Sequence, residues 1–138
     1  MRKIILLLIL AKASISFAQA SFQKEYKTTD SASADEAMGL VQTLDGNYLL
    51  YGQSQLGVGL MQSRVRMLLL SATGDTIFTK TFGYDSVSLS VIGALQNSAG
   101  EFVLAGNMNN INLTNNRTFI MKTNLTGDLI WFHYFDSP

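Results

Sequence analysis

The sequence of 138 residues contains no cysteine, one proline and one histidine. The absence of cysteine excludes a disulfide framework, a thiolate metal site, a cysteine nucleophile and a lipid-modified cysteine. A single proline argues against a disordered, proline-rich linker. The formal net charge is zero, which leaves no electrostatic argument for binding to nucleic acid or to an anionic membrane surface.

Charged residues are also scarce, at 14% of the chain, whereas hydrophobic residues make up 47%. This hydrophobic fraction is ample for a packed core. The polar residues are largely serine, threonine, asparagine and glutamine, a mixture that favours β structure with neutral loops. A helical bundle would usually expose many more glutamates and lysines. The composition therefore favours the all-β class.

Residues 1–18 have the layout of a secretory signal peptide. Arg2 and Lys3 precede an apolar run at 4–11, and Ser16-Phe17-Ala18 places small residues before a cleavage site. The run is too short to span a bilayer as a helix, which needs about 20 residues. We expect an exported protein, secreted or at the cell surface, without a membrane span after cleavage. The alternative is a buried N-terminal strand or helix.

Residues 19–138 contain two copies of one unit. Residues 41–53 align with 95–107 at an offset of 54, and the two segments share a glutamine, a turn glycine, an aromatic residue, a leucine and a second glycine. Residues 72–78 align with 125–131 at an offset of 53. A partial third copy lies upstream, since residues 22–26 align with 78–82. So many matches in the same order indicate a repeat.

Each copy predicts four short strands. Asp45-Gly46 predicts a tight hairpin with positive φ at both central residues. Thr73-Gly74-Asp75 and Thr126-Gly127-Asp128 predict the turns between the third and fourth strands. Gly52 and Gly106 predict a bulge or a close backbone approach. The predicted strands lie near 37–43, 47–53, 64–71 and 76–82 in the first copy and near 91–97, 101–107, 117–123 and 129–135 in the second, after a leading strand near 22–27.

Four antiparallel strands at a period near 50 residues predict two β-propeller blades, about 37–83 and 91–135. One such sheet cannot bury both faces, so Phe78 and Trp131 are expected to pack between stacked blades. A β-sandwich is the alternative. Because propellers need about four to eight blades to close, we expect further blades from a longer propeller, or self-association.

The repeats resemble those of secreted bacterial propeller-repeat proteins of the type IX secretion lineage. In that family the pattern runs Asp-Gly-Gly-Tyr, Ala-Gly, Lys-Thr-Asp-x-x-Gly and then Trp. Leu69 and Ser71 depart from it, since they stand where the pattern has lysine and aspartate. Gly127 followed by Trp131 is similar, more weakly, to quinoprotein-like propeller repeats. Both resemblances imply a propeller. The matching residues are Asp45-Gly46-Asn47-Tyr48, Tyr51-Gly52, Lys122-Thr123-Asn124-Leu125-Thr126-Gly127 and Trp131.

The sequence offers no constellation for catalysis. His133, the only histidine, lies in a predicted strand, and a base of this kind needs an orienting partner and a nucleophile. The only adjacent acidic pair, Asp35-Glu36, lacks metal-ligand spacing. We therefore expect no enzyme activity, no cofactor and no metal.

The expected function is a non-catalytic binding or surface scaffold for a protein or glycan ligand. Loops on rigid scaffolds carry function, so the loops on one face of the propeller are the candidate ligand site. The alternative for Leu60 and Met61 is packing under the neighbouring blade. Two other functions stay open: a piece of a quinoprotein-like or hydrolytic propeller enzyme with its catalytic residues elsewhere, and a structural repeat of a cell-surface adhesin. The candidate loop residues are Leu56, Leu60, Met61, Asn109 and Asn112.

Overall fold

The protein forms two four-stranded antiparallel sheets, as the repeat predicts. The structure, a computed structural model, describes residues 23–26, 34–55, 62–110 and 116–136, and these ranges contain no helix. The predicted signal peptide at 1–18 lies outside the described residues. In chain order, the first sheet contains β1 (Ala34–Gln42), β2 (Tyr48–Gln55), β3 (Ser63–Leu70) and β4 (Thr76–Phe82), and the second contains β5 (Val87–Gln96), β6 (Phe102–Asn110), β7 (Asn116–Thr123) and β8 (Leu129–Asp136).

The core lies between the two sheets. Side chains alternate along each strand, so Val65, Met67 and Leu69 of β3 are buried while their neighbours Arg66 and Leu68 face away. Strand β5 contacts β1, β2 and β3 across this interface. We call the face of each sheet that contributes to the core its inner face, and the opposite face its outer face. The core residues are Leu49, Val65, Met67, Leu69, Leu89, Val91, Phe102, Leu104, Met108, Phe119 and Met121.

The four tight turns share one geometry. In each, the amide of the first residue donates to the carbonyl of the fifth, and the amide of the fourth donates to the carbonyl of the first. The fourth residue is always glycine, with φ between 77° and 82°. The expectation of positive φ at both Asp45 and Gly46 is wrong, because only Gly46 has it. The loop holds three residues, and such loops end on a single left-handed glycine.

Gly52 and Gly106 occupy equivalent places in β2 and β6, each opposite a register shift in the neighbouring strand. A Cβ at Gly52 would lie 1.9 Å from the carbonyl oxygen of Glu36, and one at Gly106 would lie 2.1 Å from that of Ser90. The close backbone approach predicted for both glycines is confirmed. Because glycine has no side chain, the bulged strands β1 and β5 can approach β2 and β6 closely at these positions.

Residues 23–26 belong to no strand, so the predicted leading strand near 22–27 is not formed at its described residues. The segment instead contacts the first sheet through side chains. The Tyr26 hydroxyl donates to the Gly74 carbonyl at 2.7 Å, and Lys24 Nζ pairs with Asp75 at 2.5 Å. Both partners lie in the turn between β3 and β4. The segment is therefore anchored to the turn by side chains and not by a backbone ladder.

The same type of ion pair joins the two sheets, since Lys80 Nζ lies 2.7 Å from Asp128 Oδ1. In the alignment of 22–26 with 78–82, Lys24 corresponds to Lys80, and Asp75 corresponds to Asp128 at the repeat offset. The hydrogen bond from Lys80, together with those from Thr126 and Asn124, lowers the pKa of Asp128 from 3.8 to about 2. Each lysine thus reaches from its own segment to the turn of the following repeat.

Acid should weaken the contact between the sheets. Because the folded-state pKa of Asp128 is depressed, its contribution to stability is present above pH 3.8 and is lost as the pH falls towards about 2. Asp128→Asn is expected to flatten the dependence of the thermal midpoint on pH in this window. The control is Asp85→Asn, which removes a carboxylate in a looser pair, 3.7 Å from Arg64. Equal slopes for Asp128→Asn and the parent chain would contradict the assignment.

Thr123, at the end of β7, is fully buried, and its hydroxyl has no hydrogen-bond partner in the described part of the chain. A desolvated, unpaired hydroxyl is destabilising. Thr123→Val keeps the shape and removes the hydroxyl, so we expect the free energy of unfolding to rise by about 1 kcal/mol in urea titrations. Thr118→Val, at an exposed position of the same strand, is the control and should change stability by less than about 0.5 kcal/mol. A loss of stability in Thr123→Val would count against this account.

Candidate functional site

A cleft of about 210 Å³ lies on the outer face of the first sheet, and we call it the outer cleft. It is built by β1, β2 and β3 together with Tyr26 from the upstream segment. The pairing register brings Leu50 of β2 opposite Leu68 of β3. These two leucines give the cleft an apolar floor. The residues that line it include Tyr26, Asp35, Glu36, Leu50, Arg66 and Leu68.

The polar part of the outer cleft is an ion pair that is largely withdrawn from solvent. Arg66 Nη1 lies 3.3 Å from Asp35 Oδ2, and the two side chains are 23% and 31% exposed. The carboxylate of Asp35 is therefore held in place by Arg66, while it retains oxygen lone pairs for a further donor. Glu36 and Gln53 stand in the row of Val65 on the other face of the sheet, where Gln53 Nε2 donates to Glu36 Oε2 at 2.7 Å.

Tyr26 closes one side of the outer cleft. Its hydroxyl is fixed on the Gly74 carbonyl, which leaves the ring half-buried beside the polar pair. An aromatic ring fixed at its hydroxyl offers a flat contact surface at low cost in conformational entropy. The apolar floor, the aromatic wall and the oriented carboxylate of Asp35 together suit a ligand that has both hydroxyl or amine donors and a carbon framework.

The charged pair is peculiar to the first repeat. At the repeat offsets, Asp35 corresponds to Leu89 and Arg66 corresponds to Phe119, and both counterparts are fully buried in the core. The second repeat thus uses these positions for packing between sheets. The cleft was not predicted, because the repeat is recognised from the turns that both copies share. The signal that could have found it was a charge in one copy aligned with an apolar residue in the other.

Four of the five predicted loop residues, Leu56, Leu60, Met61 and Asn112, lie outside the described residues. Asn109 is exposed, but it lies in β6 and not in a loop. There it pairs with Ser88 of β5 and Asn116 of β7. Backbone pairing with both neighbouring strands extends β6 beyond residue 107, where the sequence predicts its end.

His133 lies on the outer face of β8 and is exposed, as the sequence suggested for a histidine in a strand. Its ring centroid is 5.2 Å from that of Trp131. In the described ranges, no three histidine, aspartate or glutamate side chains are placed to hold a metal ion. The same ranges hold no helix long and apolar enough to cross a membrane.

No family model matches the chain, and no curated protein matches it either. The geometry of the two sheets and of the outer cleft is therefore the basis for inferring a function.

Proposed function

We propose that this chain is an exported, non-catalytic module of propeller-type repeats, a binding or surface scaffold whose ligand site is the outer cleft. Export rests on the signal-peptide layout of residues 1–18. The propeller type rests on the repeat period and on the resemblance of the turns. One observation carries the binding role: Asp35 and Arg66 stand where the equivalent positions of the second repeat are buried Leu89 and Phe119.

The size of the outer cleft limits the ligand. Its volume of about 210 Å³ is below the range of about 300–1,000 Å³ for small-molecule pockets. It therefore suits one terminal group of a larger partner, such as the last sugar of a glycan or one side chain of a protein. The oriented carboxylate of Asp35 would accept hydroxyl groups, and the ring of Tyr26 would cover the carbon face of a sugar.

A glycan and peptide array probed with the mature chain tests this function. We expect binding to a defined subset, and at least a tenfold loss of affinity in the double variant Asp35→Asn/Arg66→Gln, because about 1.4 kcal/mol corresponds to a factor of ten. The matched control is Arg64→Gln, which removes an arginine from the same strand outside the cleft. An array without any bound ligand, or binding that survives the double variant unchanged, would refute the proposal.

A further inference from the structure

The outer face of the second sheet is a second, largely apolar surface. The pairing register places Val103 of β6 in one row with Leu95 and Trp131, and Ala105 in the next row with Ile120. Leu95 is 52% exposed. No described segment of the chain covers this face as the second sheet covers the first. The apolar residues of the face are Leu95, Val103, Ala105, Ile120, Trp131 and Phe135.

This surface corresponds to a contact face that the molecule already uses. At the repeat offsets, Val103 corresponds to Leu49, and Ile120 corresponds to Met67. Both counterparts are fully buried on the inner face of the first sheet, against the second sheet. The inner face of the first sheet thus packs on the inner face of the second. The outer face of the second sheet therefore has the same apolar residue pattern as the inner face of the first sheet.

The lysine–aspartate pairs follow the same order. Lys24 pairs with Asp75, and Lys80 pairs with Asp128, each reaching the turn of the next repeat. The position of Lys80 is taken by His133 in the second repeat. A histidine beside a partner's carboxylate can serve the same role as a hydrogen-bond donor.

The aromatic anchor repeats as well. Phe78 lies directly against Gly127, where a Cβ would be 2.7 Å from its ring. It also makes an edge-to-face contact with Phe102, with ring centroids 6.5 Å apart. Trp131 holds the position of Phe78 in the second repeat. Its larger ring should therefore rest on a turn glycine of the same kind.

We propose that the outer face of the second sheet is a docking surface for one further four-stranded repeat of this type. The partner presents a turn ending in Gly-Asp, with the glycine under Trp131 and the aspartate beside His133. It carries apolar residues at the positions of Leu89 and Phe119. The proposal extends the scaffold function to a second surface and does not involve the outer cleft.

The first sheet of a second copy fits this surface poorly. Its turn residues Gly74 and Asp75 are already contacted by Tyr26 and Lys24. Docking would also bury the Asp35–Arg66 pair under an apolar sheet, and removing such charges from water is costly. A repeat with an inner face like that of the second sheet has neither obstacle.

The test extends the chain by a second copy of residues 84–136, joined after Asp136. In the added unit the tryptophan is replaced by phenylalanine, so that Trp131 remains the only tryptophan reporter. We expect a monomer in which acrylamide quenching of Trp131 falls several-fold and the thermal midpoint rises by several degrees. Replacing the added unit's counterpart of Asp128 with asparagine should reduce the rise in midpoint.

The matched control carries aspartate and arginine in the added unit at the positions of Leu89 and Phe119, as in the first repeat. It should leave Trp131 as accessible as in the parent chain.

In the parent chain, Trp131→Asp should leave the thermal midpoint unchanged, since nothing described covers this face. A large drop would overturn the proposal even if the extended chain fails to fold. Unchanged quenching in the folded extended chain, or concentration-dependent dimerisation of the parent with burial of Trp131, would also overturn it. Array binding at the outer cleft is measured separately, so failure here leaves the proposed function intact.

Discussion

Gly106→Ala is expected to lower the free energy of unfolding by about 3 kcal/mol, the upper end of what overpacking usually costs. The added Cβ would lie 2.1 Å from the Ser90 carbonyl oxygen and 2.8 Å from the Phe119 ring. The first contact is with backbone, which can yield only if β5 moves away from β6. Since β5 contacts three strands of the first sheet, the displacement would reach the core. Urea titration with a fluorescence or circular dichroism readout measures the loss.

Gly93→Ala is the matched control for this variant. Gly93 lies in β5 at the same bulge, but a Cβ there meets nothing within 4 Å and its φ is not in the left-handed region. We expect a change in stability of less than about 0.5 kcal/mol. If both variants lose the same amount, the cost of Gly106→Ala comes from the general properties of glycine and not from the close approach of the strands.

The strand layout could be predicted because it depends on local signals. β4 was predicted at 76–82 and occupies Thr76–Phe82, between a Gly-Asp turn and Gly83. β6 was predicted to end at residue 107, but it continues to Asn110. Asparagine is depleted in strands, so the local signal stops early, while the ladders to β5 and β7 carry the strand on. Backbone pairing with β5 and β7 therefore outweighs the low strand propensity of asparagine.

The outer cleft could not be predicted in the same way. Asp35 and Arg66 are 31 residues apart and meet only because β1, β2 and β3 are neighbours in one sheet. Their exposure depends further on which face of that sheet the second sheet covers. Strand periodicity shows that two faces exist, but not which one is buried. The predicted loop residues were chosen on the general rule that loops bind, whereas the described cleft lies on strands.

The outer faces of the two sheets differ in chemical character. Each repeat has two faces, and the described chain covers the inner face of each. The first repeat carries charges on its outer face, at Asp35 and Arg66, which favour a polar ligand. The second repeat carries apolar side chains such as Leu95 and Trp131 on its outer face, which favour another sheet. The two outer faces are opposite faces of the repeat, since Asp35 and Arg66 correspond to core residues of the second sheet, whereas Trp131 corresponds to Phe78 at the sheet interface.

The largest expected difference between the repeats in the effect of a substitution on stability is at Phe102 and its counterpart Tyr48. Phe102 is 1% exposed and packs edge-to-face on Phe78 across the sheet interface. Phe102→Ala should therefore lower the free energy of unfolding by about 3–5 kcal/mol. Tyr48 occupies the same position in β2, but it faces outward and is only partly buried. We expect Tyr48→Ala to cost about 1 kcal/mol, a typical value for a single substitution.

The comparison of these two variants tests the order of the sheets. Both substitutions remove an aromatic ring from the first residue of the second strand in its repeat, so local strand propensity changes almost equally in the two. Only burial by the other sheet distinguishes the two positions. Chemical unfolding of both variants under identical conditions gives the difference directly. Equal losses, or a larger loss for Tyr48→Ala, would mean that the sheets do not stack with the inner face of the second on the inner face of the first.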